Sequence, residues 1–308
     1  MTDNVGQNEP RVGIEIATST LTAVCLTAEG SVSAEKRVDA EPSPVVGEGL
    51  TAFINELKND FGHFERIGIA APGLVESTTG RISFSTNIPT NANIDLMSEI
   101  QTATGVHALI ENDANAAAFA EFHLGAGRGS RDMFYATLGE GVGGAFIFNG
   151  SLWRGSGGFA GEFGYIPINS EGMKLEDVAS TASIIRRTRS RFHQDSTSSL
   201  SHLSEEGITI AEIIAAADKE DGFAQMMLER TGTYVGVALA TVINLLNIGK
   251  IVIGGEIIQT KQLVLDAIIG QAAKFSFKPS FDSTSIVEGE LGANAAAIGA
   301  ALLSSNTN

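Results

Sequence analysis

Asp113 is the residue of this sequence whose position points most directly to chemistry. It follows a short apolar run, Ala108–Ile110, and precedes an alanine-rich segment that is typical of a helix. In open α/β sheets, ligands bind beyond the carboxyl ends of the strands, where a carboxylate can accept a proton from a substrate hydroxyl. An aspartate in this place is also a favoured helix cap. Position alone leaves both roles open, but the catalytic role predicts a phosphate-binding loop downstream.

A glycine-rich loop does follow, between two predicted strands, at Leu138–Gly144. Closely spaced glycines let backbone N–H groups approach phosphate oxygens without side-chain obstruction. The same spacing occurs in ordinary glycine-rich hairpins and bulges. Glu140 within the loop disfavours polyphosphate unless a cation intervenes, because like charges repel each other. The loop is thus compatible with a phosphate site and with a plain hairpin.

A second glycine-rich segment, Arg154–Gly164, contains Glu162, and Glu176 follows it. Carboxylates can accept several hydrogen bonds from the hydroxyls of a sugar, so both glutamates are candidate sugar contacts. The alternative for each is an exposed acidic residue in a loop.

The first half of the chain alternates predicted strands and helices. Three short strands open it, and two buried strands follow, each after a segment with apolar residues at helical spacing. This alternation is typical of a mostly parallel sheet covered on both faces. The predicted strands are Val12–Ile16, Leu21–Thr27, Val32–Val38, Ile67–Ala71 and Ala108–Ile110, and the predicted helices lie at Leu50–Leu57, Leu96–Ala103 and Ala114–Leu124.

The second half opens similarly, with a two-stranded hairpin, and then becomes mostly helical. The predicted elements are strands at Met133–Leu138, Gly144–Phe148, Lys250–Ile253 and Ser285–Val287, and helices at Ser183–Phe192, Ile210–Ala217, Phe223–Asn247, Leu263–Phe275 and Ala293–Leu303. The serine-rich segment Gln194–Glu206 is predicted to be a mobile excursion. The likeness of the halves predicts two similar domains that meet near Asp113: residues 1–112 with 292–308, and residues 113–291. We expect the last helix to pack on the first domain.

Composition limits the partners and the compartment. The 308 residues carry a net charge of −16, which disfavours nucleic acid and anionic membrane surfaces as partners. Cys25 is the only cysteine, which excludes an internal disulfide and a thiolate metal cluster. The uncharged stretch Gly232–Ile248 is marginally long enough to span a bilayer, but its two asparagines favour a buried central helix. The polar start, Met1–Pro10, shows no secretory signal, so we expect a cytoplasmic protein.

Several ordered motifs resemble those of the ROK family of repressors, open reading frames and kinases. Ile110–Ala118 is similar to the family's Asn-Asp-Ala-Asn-Ala-Ala signature, and Thr137–Gly144 to its second phosphate motif. Arg154-Gly155 with Ala160–Gly164 resembles its Arg-Gly…Ala-Gly-Glu-Ile-Gly segment, and Val252–Gly255 its adenosine-side motif. The resemblance covers nearly the whole chain. It implies a two-domain α/β fold of the actin-like ATPase (hexokinase and ribonuclease H-like) type, with ATP and sugar in an interdomain cleft.

By this resemblance the chain transfers the γ-phosphate of ATP to a hexose hydroxyl, usually the 6-OH, with Asp113 as the base. The implied partners are a hexose or N-acetylated hexosamine, ATP with Mg²⁺, and further copies of the chain, since relatives are commonly dimers or tetramers. The implied substrate contacts are Gly73, Asn87, Asn112, Asp113, Glu162, Tyr165 and Glu176. The implied nucleotide contacts are Glu15, Ser19, Thr137, Gly139, Gly141, Gly143, Gly254 and Gly255.

The sequence departs from the family pattern in three places. Family kinases open with Asp-x-Gly-Gly-Thr, whereas this chain has Glu15–Ser19, and the added Cβ atoms at positions 17 and 18 block close approach and positive φ. Glu140 stands where kinases usually have Thr, and the pair with Glu15 resembles the effector domains of sugar-responsive repressors. Tyr165 replaces a histidine, and Pro167–Leu175 lacks the zinc-binding cysteines, so no zinc site is expected.

Three hypotheses follow. Asp113 and the Leu138–Gly144 loop favour a sugar kinase, whereas Ala17, Thr18 and Glu140 favour a non-catalytic, sugar-binding sensor or pseudokinase. A purely structural role leaves the combination of Asn112-Asp113 and Glu162 unexplained, and the fold alone does not decide among the three hypotheses. About ten residues precede the first strand, too few for the DNA-binding helix pair of repressor members, so no nucleic acid partner is expected.

Overall fold

The chain folds into two α/β units. They are described here from a computed structural model, which covers residues 9–39, 46–76, 79–84, 95–260 and 262–305. The first unit comprises Met1–Gly129, Ser151–Ala160 and Ala293–Asn308, and the second comprises Ser130–Gly150 and Gly161–Gly292.

The elements follow one another in the order that the sequence predicts, with several short additions. The strands are β1 (Arg11–Ile16), β2 (Thr20–Leu26), β3 (Val32–Asp39), β4 (Arg66–Ala71), β5 (Leu74–Glu76), β6 (Arg81–Phe84), β7 (His107–Asn112), β8 (Met133–Leu138), β9 (Val142–Phe148), β10 (Ser151–Trp153), β11 (Lys250–Gly254) and β12 (Ser285–Glu288). The helices are α1 (Val46–Phe61), α2 (Leu96–Thr104), α3 (Asp113–His123), α4 (Glu176–Ala179), α5 (Thr181–Arg189), α6 (Ile210–Asp218), α7 (Gly222–Leu246), α8 (Leu263–Phe275), α9 (Lys278–Asp282) and α10 (Ala295–Ser305). The short elements β5, β6, β10, α4 and α9 are those that the sequence did not predict.

The first unit is built on a five-stranded sheet in the order β3-β2-β1-β4-β7. Strand β1 pairs antiparallel with β2 and parallel with β4, and β4 pairs parallel with β7. Helix α10 packs on β1, β4 and α3, as expected for the last helix. Glycines allow this close contact: a Cβ on Gly68 would lie 1.8 Å from the Ala300 carbonyl oxygen, and one on Gly299 1.7 Å from that of Ala116.

The predicted domain boundary after residue 112 differs from this division. Helix α3 belongs to the first unit because it packs against α10, so the unit continues to Gly129. The segment Ser151–Ala160, which contains β10, also belongs to the first unit.

The second unit contains four strands in the order β9-β8-β11-β12. Strand β8 pairs antiparallel with β9 and parallel with β11, which is parallel to β12. The long helix α7 lies against α8, where Cβ atoms on Gly232 and Gly236 would come within 2.6 and 2.4 Å of carbonyl oxygens of α8. The uncharged stretch of α7 is thus a packed helix, as predicted. Across the described residues, no helix combines the length and apolar character needed to cross a membrane.

The serine-rich segment Gln194–Glu206 is held more closely than its composition suggests. It carries a 3₁₀ turn at Ser199–His202, and the Leu200 side chain is buried. The Asp221 carboxylate, which caps α7, also accepts hydrogen bonds from the hydroxyls of Ser198 and Ser199. Where composition predicts a mobile excursion, the serines therefore anchor the segment to the start of α7.

Candidate functional site

The carboxyl ends of β1, β4 and β7 lie at one edge of the first sheet, because the three strands are parallel. The register places Glu15 beside Ala70 and Ala70 beside Glu111. Since neighbouring strands lie about 4.8 Å apart, Glu15 is about 10 Å from the end of β7 along the backbone of the sheet. The edge therefore collects the predicted residues Glu15, Ser19, Gly73, Asn112 and Asp113, and it is where open α/β sheets bind ligands.

The cap of α3 is Asn112 and not Asp113. The Asn112 side-chain oxygen accepts a hydrogen bond from the Asn115 backbone N–H at 3.0 Å, which is the capping interaction. Asp113 is the first residue of the helix, and its Oδ1 accepts hydrogen bonds from the Asn112 side-chain amide at 3.0 Å and from the Ala114 N–H at 2.8 Å. The same Asn112 amide donates to the Gly73 carbonyl at 3.0 Å. Gly73, Asn112 and Asp113 thus form one hydrogen-bonded cluster, in which Asn112 is the capping residue and Asp113 binds the first-turn N–H of Ala114.

A buried ion pair lies next to this cluster. The Glu111 carboxylate is 3% exposed and accepts two hydrogen bonds from the Arg154 guanidinium, from Nε at 2.9 Å and from Nη2 at 2.6 Å. Both residues belong to motifs of the resembled family, but the sequence alone indicates no role for either. The signal that was available is a glutamate directly before Asn-Asp in an otherwise apolar strand, since acidic residues are almost never fully buried unless paired.

The turn after β1 does not need glycine. The Ala17 N–H donates to the Thr20 carbonyl at 2.9 Å and closes the turn. Ala17, Thr18 and Ser19 all lie outside the left-handed region of φ. The Cβ atoms at positions 17 and 18 therefore do not conflict with the backbone conformation of the turn. Their bulk is the predicted obstacle to close phosphate approach that remains.

The predicted nucleotide residues of the second unit lie close together. Thr137 on β8 lies beside Gly143 on β9 and Gly254 on β11 in the sheet register. The Gly139 N–H donates to the Gly141 carbonyl at 3.0 Å within the glycine loop. Gly255 has φ +93° and lies so close to β8 that a Cβ would be 2.2 Å from the Leu138 carbonyl oxygen. The glycine loop and the Gly254-Gly255 turn therefore adjoin each other.

Two carboxylates of the second unit interact with each other. Glu162 is an exposed residue, but partial desolvation of its carboxyl raises the pKa above its ordinary value, and the negative charge of Glu176 adds to that shift. Glu176 itself accepts a hydrogen bond from the Val142 backbone N–H at 3.0 Å through Oε2. The two predicted sugar contacts are thus near each other, and one of them also contacts the glycine loop.

Tyr165 is half exposed, and the Lys174 ammonium lies 3.7 Å from the centre of its ring. The intervening segment folds as a small hairpin, with a bridge between Pro167 and Lys174 and a hydrogen bond from the Ile168 N–H to the Met173 carbonyl. Backbone pairing therefore shapes the segment that carries zinc-binding cysteines in other members of the resembled family. Among the residues that the structure describes, no group of three or more His, Cys, Asp or Glu side chains could hold a metal ion.

Thr181 links the two segments that the sequence predicts to bind nucleotide, and the sequence itself does not single it out. Its N–H donates to the Gly139 carbonyl at 2.8 Å, and its hydroxyl donates to the Glu256 carboxylate at 2.6 Å. No sequence motif marks this residue, because its role depends on the packing of α5. Asn87, a predicted sugar contact, lies outside the described residues.

Comparison with known proteins establishes the family. A family model described as the ROK family matches residues 11–307. The chain belongs to the ROK family. Its ROK relatives include a glucokinase of Halalkalibacterium halodurans, 30% identical over 94% of this chain and 92% of the relative.

Two solved ROK structures share the fold over nearly the whole chain. One is a ROK family glucokinase from Streptomyces griseus in complex with glucose and AMPPNP, with a TM-score of 0.86, 27% identity and coverage of 97% of this chain and 100% of that one. The other is a ROK family transcriptional regulator, a homologue of the E. coli MLC protein, with a TM-score of 0.86, 28% identity and coverage of 99% and 79%. The chain therefore has the α/β actin-like ATPase fold of ROK proteins, a fold that serves both a kinase and a regulator.

Proposed function

We propose that this ROK protein is a sugar kinase, which transfers the γ-phosphate of ATP to a hydroxyl of a hexose or N-acetylated hexosamine. The observation that carries the proposal is the hydrogen-bonded cluster at the start of α3, in which Asn112 is the capping residue and Asp113 is the first residue of the helix. Asp113 still accepts hydrogen bonds to Oδ1 that fix its orientation. A fixed carboxylate at the carboxyl end of a strand suits a general base.

Asp113 accepts the proton of the attacking sugar hydroxyl, and the sugar oxygen forms a bond to the γ-phosphorus while the bond to the β-γ bridging oxygen breaks. The products are a sugar phosphate, ADP and the proton held by Asp113, which solvent then removes. Glu162 and Glu176 offer acceptors to the remaining sugar hydroxyls, and the N–H groups of the Leu138–Gly144 loop bind phosphate oxygens.

Magnesium would accompany ATP, since it typically binds nucleotide phosphates together with one or two protein carboxylates. Glu15 fits that donor set, because its half-buried carboxylate belongs to the same sheet edge as Asp113. The ion would neutralise phosphate charge. An ion that binds together with ATP does not need a preformed cluster of acidic side chains in the protein.

The second candidate is a non-catalytic sugar sensor. The exposed carboxylate of Glu140 in the glycine loop and the Cβ atoms of Ala17 and Thr18 at the first turn favour it, as does the likeness to a ROK transcriptional regulator. Both candidates share the sugar site, a cytoplasmic location and a homodimeric or homotetrameric assembly. They differ in whether sugar binding leads to turnover.

The deciding experiment measures ADP release with glucose, mannose, fructose and N-acetylated hexosamines. We expect sugar-dependent turnover, and we expect Asp113→Asn to lower kcat about 10²- to 10⁴-fold, the usual contribution of a general base. Sugar binding, followed by thermal stabilisation, should persist in that variant because Asn keeps an oxygen that can accept the same hydrogen bonds. Asp266→Asn, on an exposed part of α8, is the matched control and should retain full activity.

The sensor is favoured instead if sugars stabilise the wild type but no nucleotide or polyphosphate supports turnover. Equal loss of binding and turnover in Asp113→Asn would argue against the base role.

A further inference from the structure

Glu111 is a buried carboxylate that takes no part in the proposed transfer. An ionised carboxylate at 3% exposure is costly unless it is paired and hydrogen-bonded. Its two oxygens have separate partners. Oε1 accepts hydrogen bonds from the Asn112 backbone N–H at 3.0 Å and from the Asn115 side-chain amide at 2.9 Å, whereas Oε2 accepts both bonds from Arg154.

Arg154 reaches Glu111 from a separate part of the first unit. It directly follows β10, 43 residues further along the chain than Glu111. Its carbonyl accepts the Ala160 N–H at 3.0 Å, which closes the loop that begins with Gly155 at φ +69°. The Arg154 side chain is 31% exposed and the Glu111 side chain 4%, so the arginine contacts solvent whereas the glutamate is buried. Two hydrogen bonds from one guanidinium to the same oxygen fix the orientation of the Glu111 carboxylate, and the positive charge of Arg154 compensates its negative charge.

Of the two residues that Glu111 binds through Oε1, Asn112 contacts Asp113 directly and Asn115 contacts Asn112. Asn112 donates to Asp113 Oδ1 and to the Gly73 carbonyl, and it accepts from the Asn115 N–H. A shift of the Glu111 carboxylate would therefore move Asn112 and Asn115, and through them Asp113. The Arg154 charge also balances a negative group two residues before the base, which limits repulsion between two carboxylates at the same strand end.

We propose that Arg154 and Glu111 are a positioning pair, which fixes Asp113 through Asn112 and Asn115 in the orientation that a general base requires. This inference rests on the proposed kinase activity. Misplacing reacting groups by about 1 Å can cost about 10²-fold in rate, so the pair should affect kcat much more than nucleotide binding. Lysine should not replace Arg154 fully, because an ammonium cannot form the two-bond fork.

The test compares Arg154→Met, Arg154→Lys and the control Arg131→Met, a surface arginine of the second unit. We expect Arg154→Met to lower kcat about 10²-fold with KM for ATP changed less than about twofold, and Arg154→Lys to fall between that variant and the wild type. Arg131→Met should match the wild type. The decisive readout is the same substitution in an Asp113→Asn background, where it should lower kcat no further because the oriented base is already lost.

An equal fall in kcat in both backgrounds would show a merely structural role and overturn the proposal. If Arg154→Met does not fold, Arg154→Lys in the two backgrounds decides in the same way. If the wild type shows no turnover, the proposed kinase function is rejected independently of the positioning pair. The affinity of each variant for glucose, measured by calorimetry, then tests the pair. Weaker binding by Arg154→Lys than by Arg131→Met then supports positioning of Asn112, whereas equal binding, or no sugar binding by the wild type, overturns the inference.

Discussion

The Glu176 carboxylate accepts a hydrogen bond from the backbone N–H of Val142 at 3.0 Å. Val142 directly follows Gly139-Glu140-Gly141, so a residue proposed to contact sugar also holds one end of the proposed phosphate loop. Only a glycine at position 141 permits the approach without adjustment, because a Cβ there would lie 3.2 Å from the same carboxylate oxygen. The second unit thus joins its sugar-side carboxylates to its nucleotide loop by one hydrogen bond.

The proximity of Glu162 to Glu176 has a consequence for stability. Burial, and then the charge of Glu176, raise the pKa of Glu162 above its ordinary value of 4.5 in the folded protein. Folding stability contributed by this group is therefore lost as pH rises from that ordinary value through the raised one. Because solvent screens an exposed group, we expect Glu162→Gln to raise the melting temperature only slightly at pH 7.5 and to give no gain near pH 4, as measured by thermal denaturation at both pH values.

Glu229→Gln, at an exposed position on α7, is the control for that measurement and should show no such difference between the two pH values. The gain at neutral pH should come with weaker sugar binding, since Glu162 is a proposed sugar contact. A lower melting temperature at pH 7.5 would contradict the pKa shift.

Replacing two helix glycines of the first unit by alanine should change the stability of the protein in opposite directions. Gly299 lies in α10, where a Cβ would come 1.7 Å from the Ala116 carbonyl oxygen, whereas Gly49 in α1 has open space around its Cβ position. Gly299→Ala should cost about 1–3 kcal/mol through overpacking, and Gly49→Ala should stabilise by about 0.5–1 kcal/mol through helix propensity. Urea unfolding of both variants checks the pair. Similar effects at the two positions would contradict the close contact of α10 with α3.

Local patterns in the sequence were sufficient for most of the elements. Strand β1 was predicted at Val12–Ile16 and spans Arg11–Ile16, and helix α7 was predicted at Phe223–Asn247 and spans Gly222–Leu246. Both carry a long, regular apolar pattern, which is the strongest local signal. The short strands β5, β6 and β10 span only three or four residues each, too few to show such a pattern, although β5 and β6 pair with each other as neighbours in the sequence.

The side-chain contacts of the site could not be predicted from the sequence, for a different reason. Asn and Asp are equally good caps, so the sequence Asn112-Asp113 does not say which residue caps α3. The contacts of Glu111 with Arg154 and of Thr181 with Glu256 join residues 43 and 75 positions apart, and no local pattern predicts them. Side-chain chemistry identified the candidates, but only the fold assigns their partners.

Thr181 provides a test of the link between the two nucleotide loops. Thr181→Val removes the hydroxyl that donates to Glu256 but keeps the shape of the side chain and the N–H that donates to Gly139. One lost hydrogen bond to a carboxylate corresponds to about 1–2 kcal/mol, so we expect KM for ATP to rise about 5- to 30-fold. KM for sugar should change less than about twofold. Thr181→Ser, which keeps the hydroxyl, is the matched control, and equal values for the two variants would disprove the link.

The turn after β1 carries Ala17 and Thr18 at the edge of the first sheet where we propose that phosphate binds. Neither residue has positive φ, so the turn should keep its shape when both become glycine, with the Ala17 N–H still free to bond the Thr20 carbonyl. If bulk alone limits phosphate approach, Ala17→Gly/Thr18→Gly should lower KM for ATP about 3- to 10-fold, at a stability cost of about 1–2 kcal/mol from added chain entropy. The control, Ala28→Gly/Glu29→Gly in the turn between β2 and β3, should lose similar stability without a change in KM. An unchanged KM in the first variant would mean that Glu15 or Glu140, rather than the Cβ atoms, sets the nucleotide affinity, and charge-neutral variants of those two residues would then separate their contributions.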